Sequence, residues 1–299
     1  MSESNIQEKP TDIRTTVRQH YGSAAASFQP KASISCCGSK DPVDLTASKL
    51  YPISELDTLP EEVTGLSMGC GDPITLASLK PGQTVLDLGS GGGIDCFMAA
   101  KKVGETGHVI GVDMTPEMLE KARANQAKMG FTNVEFRLGE IEHLPVADNT
   151  VDVIISNCVV NLSPDKPQVF REAFRVLKSG GRLALSDIVT DGPLPQVVKD
   201  SLSAWAGCVA GALDVKDYIA TIEAAGFTNI ELTPIYFDQE TVDEYVKLAD
   251  AESCCGGGKR LVMSDGVKVH VVELDEGVDL GDKPVREAIF SAKITARKT

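Results

Sequence analysis

Between residues 82 and 190 short apolar runs alternate with helix-length segments of mixed character. Thr84–Leu88 (TVLDL), His108–Val112 (HVIGV), Val134–Leu138 (VEFRL), Val151–Ser156 (VDVIIS) and Arg182–Ser186 (RLALS) are rich in β-branched residues. Runs of that length and composition predict buried strands. Between them, Thr115 is a natural N-cap with Pro116 at the first helical position, and Gly130 can end that helix. Ser163–Pro164 is expected to open another helix, with Val169, Phe170, Ala173, Phe174 and Leu177 on one apolar face and Gly180–Gly181 closing it. Strand and helix in alternation predict an α/β fold, a doubly wound and mostly parallel sheet. Ligands of such sheets bind outside the carboxyl ends of the strands.

The flanks are less regular. Ile13, Val17 and Tyr21 recur at helical spacing and predict a short amphipathic helix. Gly22 to Ser39 are small and polar, a stretch read as a mobile loop that holds the adjacent pair Cys36 and Cys37. Past residue 190, 195–213 and 215–225 read as helices, the second ended by Gly226. The stretches 229–237 and 288–296 read as strands. Between those strands lie the Cys254–Cys255 turn and an acidic β-type segment. The expected organisation is an N-terminal helix and cysteine loop (1–45), a Rossmann-like core (46–190) and a smaller C-terminal α+β region (191–299) that completes the sheet.

Composition removes whole classes of function. Of 299 residues, 42% are hydrophobic and 24% charged, ordinary for a globular protein. The formal net charge of −14 repels phosphate backbones, so nucleic acid is not an expected partner. No run of eighteen apolar residues predicts a membrane span. The opening MSESNIQEKP lacks the apolar core of a signal peptide, and a cytoplasmic location is expected. Eight cysteines in a reducing compartment favour thiol or metal chemistry over a disulfide framework.

The segment Asp87-Leu-Gly89-Ser90-Gly91-Gly92-Gly93-Ile94-Asp95 follows a predicted strand and opens a helix. Glycines there let backbone approach a ligand and leave helix N–H groups available. The dinucleotide fingerprint needs a glycine where Ile94 stands, and the spacing G-x-G-x-G fits a nucleoside without a pyrophosphate. Asp113 ends the second strand, where an acid can accept bonds from both ribose hydroxyls. Glu140 to Glu142 follow the third strand, at the height of a base edge. The implied cofactor is S-adenosylmethionine.

Residues 60 to 190 resemble a class I methyltransferase, including the helix-turn-strand RVLKSGGRL from Arg175 to Leu183. On that resemblance the cofactor contacts are Asp87, Gly89, Ser90, Gly91, Gly93, Asp113, Met114, Glu140, Ile141, Glu142 and Asn157. Cysteine settings narrow the family. Cys70 stands in GCGDP, Cys158 in SNCVVNL and Cys208 in WAGCVAGAL. With VIGVDMT from Val109 to Thr115 and the tail AIFSAKITARK, these segments resemble the arsenite methyltransferase family. Cys96, on the apolar face of the helix after the glycine loop, reads instead as a core residue.

What this resemblance implies is methyl transfer to trivalent arsenic held by protein thiols, since a soft centre prefers thiolate ligands. Cys70, Cys158 and Cys208 would handle the arsenic, and Cys36 or Cys37 would supply a fourth thiol. On the same resemblance Cys70 and the loop cysteine would return two electrons to the methylated arsenic and close a disulfide, which a cellular thiol reductant such as glutathione or thioredoxin would reset. Three other readings compete. They are a methyltransferase for a quinone or other small metabolite, a metalloid-binding protein without chemistry, and a nicotinamide oxidoreductase, against which Ile94 counts.

Overall fold

The structure, a computed structural model, describes residues 13–28, 51–65, 69, 71–192, 194, 210–235, 259–264, 269–274 and 289–299. In chain order the helices are α1 (Ile13–Ser27), α2 (Ile53–Leu56), α3 (Glu61–Thr64), α4 (Pro73–Ala77), α5 (Ile94–Val103), α6 (Pro116–Met129), α7 (Lys166–Val176) and α8 (Val215–Ala224). The strands are β1 (Thr84–Leu88), β2 (His108–Asp113), β3 (Val134–Leu138), β4 (Val151–Asn157), β5 (Leu177–Thr190), β6 (Thr228–Ile235), β7 (Lys259–Ser264), β8 (Val269–Leu274) and β9 (Ile289–Arg297).

Seven strands form one sheet in the order β3-β2-β1-β4-β5-β9-β6. The first five run parallel, and β9 lies antiparallel between β5 and β6. β7 and β8 pair as a separate two-stranded antiparallel sheet inside the long connection from β6 to β9. The strand order reverses between β1 and β4, so a crevice opens there at the carboxyl ends.

Side-chain alternation along the strands divides the core into two layers. Leu86, Leu88, Val112, Ile154, Leu183 and Leu185 pack with Val169 and Phe170 of α7 and with Tyr218 and Ile222 of α8. Val85, Val109, Val153, Ile155 and Ala184 pack on the other face with Phe97 and Ala100 of α5 and Leu119 of α6. Both faces are covered, which is why the strands read as continuous apolar runs rather than alternating ones.

Several expected boundaries move. Gly22 to Ser27 are helical, continuing α1, and not loop; three consecutive alanines favour the helix, and Gly22 is buried where a side chain would press on Glu117. The helix expected from Ser163 begins instead after Asp165, whose carboxylate accepts the Gln168 N–H at 3.0 Å. It ends at Val176, because Leu177 already pairs with Val151 in the sheet. Gly180, at φ 77°, turns the chain inside β5, where the pairing slips before resuming at Val153 and Arg182. Of the helix expected over 195–213, residues 195–209 lie outside the described residues. Its described end, Ala210–Leu213, is turn and irregular chain. The predicted N-terminal loop beyond Phe28 also lies outside them.

Candidate functional site

A cleft opens at the carboxyl ends of β1, β2 and β4, the place where such sheets take their ligands. Its floor is the turn from β1 into α5. Gly89 and Ser90 donate their N–H groups to Val112 O at 2.8 and 3.0 Å, which ties the loop to β2. Gly89, Gly91 and Gly93 all have positive φ, a conformation side chains resist, and a Cβ on Gly89 would overlap Val159. Gly93 caps α5 without a side chain, so the helix start is left to a ligand.

Three carboxylates, two of them buried and Asp113 half-buried, surround this floor. Asp113 ends β2 and lines the cleft. It accepts the Gly91 N–H and the Thr115 N–H, each at 2.8 Å, which fixes its orientation and opposes the upward push that burial gives its pKa. Asp95, in the first turn of α5, also lines the cleft. Burial lifts it to about 7 even though the Tyr51 hydroxyl and the Asn157 amide donate to it, and Asp72 adds to the rise. Asp87 lies beneath the loop and does not line the cleft. Burial and then the nearby Asp95 hold it well above the ordinary carboxylate range, while the Cys96 thiol donates to it at 3.2 Å.

The roof is α1. Arg14, Val17 and Tyr21 face the cleft from one side of that helix. Arg14 pairs with Glu142 at 3.2 Å and approaches Glu140 at 3.7 Å, and Arg18 reaches Glu140 at 3.5 Å. Glu142 is buried and also accepts the Ser163 hydroxyl at 2.6 Å.

At the far end the cleft reaches β4. Asn157 is the last residue of that strand and Cys158 follows it, 5% exposed and lining the cleft. Cys158 has φ 58°, a left-handed conformation that costs a non-glycine residue on the order of 1–2 kcal/mol and marks a constrained position. Its N–H donates to Ser186 O at 2.7 Å, so the turn is fastened to β5. Cys158 is joined in a disulfide. Cys96, the other described cysteine, is free.

Among the sequence-predicted contacts, Gly89, Ser90, Gly91, Asp113, Met114, Ile141, Glu142, Asn157 and Cys158 line the cleft. Asp87, Gly93 and Glu140 do not. Asp87 supports the loop from below, Gly93 caps α5, and Glu140 is engaged by the arginines of α1. Cys36, Cys37, Cys70 and Cys208 lie outside the described residues, as do Cys254 and Cys255. Cys96 is fully buried, as a core residue. Sequence reasoning missed Asp95, although it adjoins the glycine loop, and it missed Tyr51 and Arg14, which no local motif announces.

The donor set suits a nucleoside that carries positive charge. The Ser90 hydroxyl is buried in the cleft wall with no hydrogen-bond partner among the described residues. The space beside Gly91 is open, and acids cluster at one end. Strand order, glycine loop and acid at the end of β2 define the class I methyltransferase fold. Residues 79–240 match the family model described as a methyltransferase domain. An arsenite methyltransferase of Halobacterium salinarum is 45% identical over 83% of this chain, which spans 64% of that relative. Another, of Aquipseudomonas alcaligenes, is 38% identical over 80% of this chain and 69% of its own length. The crystal structure of an arsenic (III) S-adenosylmethionine methyltransferase from Chlamydomonas reinhardtii superposes with a TM-score of 0.54 at 32% identity. That match covers 87% of this chain and 74% of the other. The chain belongs to the arsenite methyltransferase family. It spans just under two thirds of the halobacterial relative.

Proposed function

We propose that the protein transfers methyl groups from S-adenosylmethionine to thiol-bound trivalent arsenic, yielding methylated arsenicals. The observation that carries this reading is the position of Cys158. It lies in the same cleft as the glycine loop and Asp113, buried at the carboxyl end of β4. Family membership supports the choice of acceptor.

When bound, S-adenosylmethionine supplies an electrophilic methyl group on a sulfonium. The Ser90 hydroxyl would meet its polar groups over the open Gly91 turn, Asp113 its ribose, and Met114, Ile141 and Glu142 the base end. Cys158, with Cys208 and Cys70, would replace the hydroxyls of arsenite and leave the arsenic lone pair facing that methyl. The acceptor loses no proton, so no general base is required. The protein's contribution is alignment at near-attack distance, about 3–3.5 Å. The new As–C bond takes up the arsenic lone pair and leaves it pentavalent. Two thiolates, Cys70 and one of Cys36 or Cys37, would return two electrons and close a disulfide. Glutathione or thioredoxin in the cytoplasm would reopen it.

The test is direct. Purified reduced protein, arsenite, S-adenosylmethionine and a thiol reductant are incubated, and products are read by mass spectrometry. Methylated arsenicals with S-adenosylhomocysteine are expected. Folded, cofactor-bound protein that forms neither would sink the proposal.

A further inference from the structure

Tyr51 precedes α2 and reaches the cleft beside Asp95 and Asn157. It is 3% exposed, so its hydroxyl has to find partners within the protein. The hydroxyl donates to Asp95 Oδ1 at 3.0 Å and accepts from Asn157 Nδ2 at 2.9 Å. With its one hydrogen and an acceptor site both in use, the oxygen is fixed in direction. Asn157 is anchored in its turn. Its Oδ1 accepts the Gly71 N–H at 3.1 Å and its Nδ2 donates to Gly71 O at 2.7 Å. Backbone, amide, hydroxyl and carboxylate thus form one chain of bonds that ends on Asp95.

Asp95 is the end that can still take a ligand. Among the described residues its Oδ1 accepts from Tyr51 and its Oδ2 from the Asn157 amide alone, at 3.4 Å. A carboxylate offers about four acceptor sites, so both oxygens keep room for a further donor. The titratable groups around it are acids: Asp72 at the start of α4, Asp87 on β1 and, beyond that, Asp113 on β2. The Cys96 thiol is turned to Asp87. None of these groups is a cation. Burial pushes the Asp95 carboxyl up, Tyr51 opposes that push more than Asn157 does, and Asp72 adds to it. What this cluster lacks, S-adenosylmethionine carries: a sulfonium and an ammonium, both at its methionine-derived end.

We infer that Tyr51 is a positioning residue of the cofactor site: its hydroxyl, itself held by Asn157, aims the Asp95 carboxylate at the cationic end of S-adenosylmethionine. The inference rests on the cofactor reading above and is independent of the methyl acceptor. Without the hydroxyl, burial and Asp72 act on Asp95 with less to oppose them, and the carboxyl keeps its proton to higher pH. The cofactor then meets a neutral acid where it would have met a carboxylate. The loss therefore depends on pH. It is small where Asp95 is protonated with or without the hydroxyl, and grows where the intact site is ionised.

The experiment is calorimetry of full-length reduced protein with S-adenosylmethionine at pH 5.5 and pH 7.5, wild type beside Tyr51→Phe. The ammonium of the cofactor stays mostly protonated at both. Tyr51→Phe is expected to bind within about twofold of wild type at pH 5.5 and more weakly by roughly three- to tenfold at pH 7.5. Adenosine, which lacks both cations, should bind the two proteins alike at either pH. In an Asp95→Asn background, Tyr51→Phe should change cofactor affinity by no more than about twofold at either pH. A ring-fluorinated tyrosine at position 51 keeps the shape and donates more strongly, so it should tighten cofactor binding at pH 5.5. That substitution keeps the test open if phenylalanine unfolds the chain, which melting curves report. A loss equal at both pH values, shared by adenosine or surviving Asp95→Asn means that Tyr51 serves packing alone, and overturns the inference. Weaker binding by the fluorinated protein at pH 5.5 overturns it too. Folded wild type that does not bind S-adenosylmethionine removes the cofactor reading instead, and the two failures are thereby told apart.

Discussion

Asp95 and Asp187 are both buried aspartates that accept a tyrosine hydroxyl at 3.0 Å, from Tyr51 and Tyr218 respectively. Burial lifts each to about 7. They belong to different layers. Tyr51 packs in the core beside α5, whereas Tyr218, on α8, packs against the sheet and Phe170 of α7. Asp95 lines the cleft, with the acids Asp72 and Asp87 nearby and no cation contributing to its shift. Asp187 does not line it, and the buried Lys166 offsets part of its rise. A perturbed carboxyl is thus a sign of burial first. Function attaches only to the one that an open cleft and its neighbours can use.

The largest effect is expected where the cleft meets the thiols. Cys158→Ser should lower arsenite methylation by at least about a hundredfold, because a hydroxyl does not hold a soft arsenic centre in line. Calorimetry should find cofactor affinity unchanged. Full activity in the variant would return Cys158 to the status of a core residue, on a par with Cys96. Asp113→Ala should do the reverse. Loss of two charge-assisted ribose bonds is expected to raise the S-adenosylmethionine Kd by roughly ten- to a hundredfold. An unchanged Kd rejects the ribose role.

How much of this could be read beforehand follows the range of the interactions. The glycine loop, Asp113 and the parallel strands were legible because each is encoded within a few residues, by φ requirements and apolar runs. Asp95 stood in plain view after Gly93-Ile94 but reads as an ordinary first-turn acid of a helix until its burial is known. The Tyr51–Asp95–Asn157–Gly71 network joins side chains and backbone up to 106 residues apart, and no spacing rule connects them. Asn157, expected as a cofactor contact, does line the cleft. Glu140, expected at the base edge, is engaged by Arg14 and Arg18 of α1, a helix not expected to close over the cleft.

The contrast between the two aspartates sharpens in cofactor binding. Asp95 ionises near pH 7, and a sulfonium cofactor in the same cleft favours the ionised form. Affinity for S-adenosylmethionine should therefore rise by roughly three- to tenfold between pH 6 and 8, as the proton is released. Asp95→Asn should flatten that rise, and Asp187→Asn should not. Calorimetry at both pH values decides, and a slope that survives Asp95→Asn assigns the proton to another group.

The smallest effect concerns stability alone. Asp187 has a folded pKa near 7 against an ordinary value of 3.8, so between about pH 4 and 7 the folded chain holds a proton that the unfolded chain has lost. Its contribution to stability is fully present below the unfolded pKa and is lost as pH rises through the folded one. Above pH 7 the buried charge must be carried, offset in part by Tyr218, Lys166 and the backbone N–H groups of Ile188 and Asn161. Asp187→Asn removes that charge, though the Ile188 N–H at 3.0 Å then competes with Tyr218 for a single amide oxygen. Urea unfolding from pH 5 to pH 8 should show the wild type losing more stability than the variant, by about 1–3 kcal/mol. Methylation by the variant should stay within about twofold, since Asp187 does not line the cleft. Parallel stability curves would mean that Lys166 keeps Asp187 ionised in the folded state. A large loss of activity would mean that the carboxyl in the α7–α8 layer reaches the site after all, and that burial without a cleft is not enough to set the two aspartates apart.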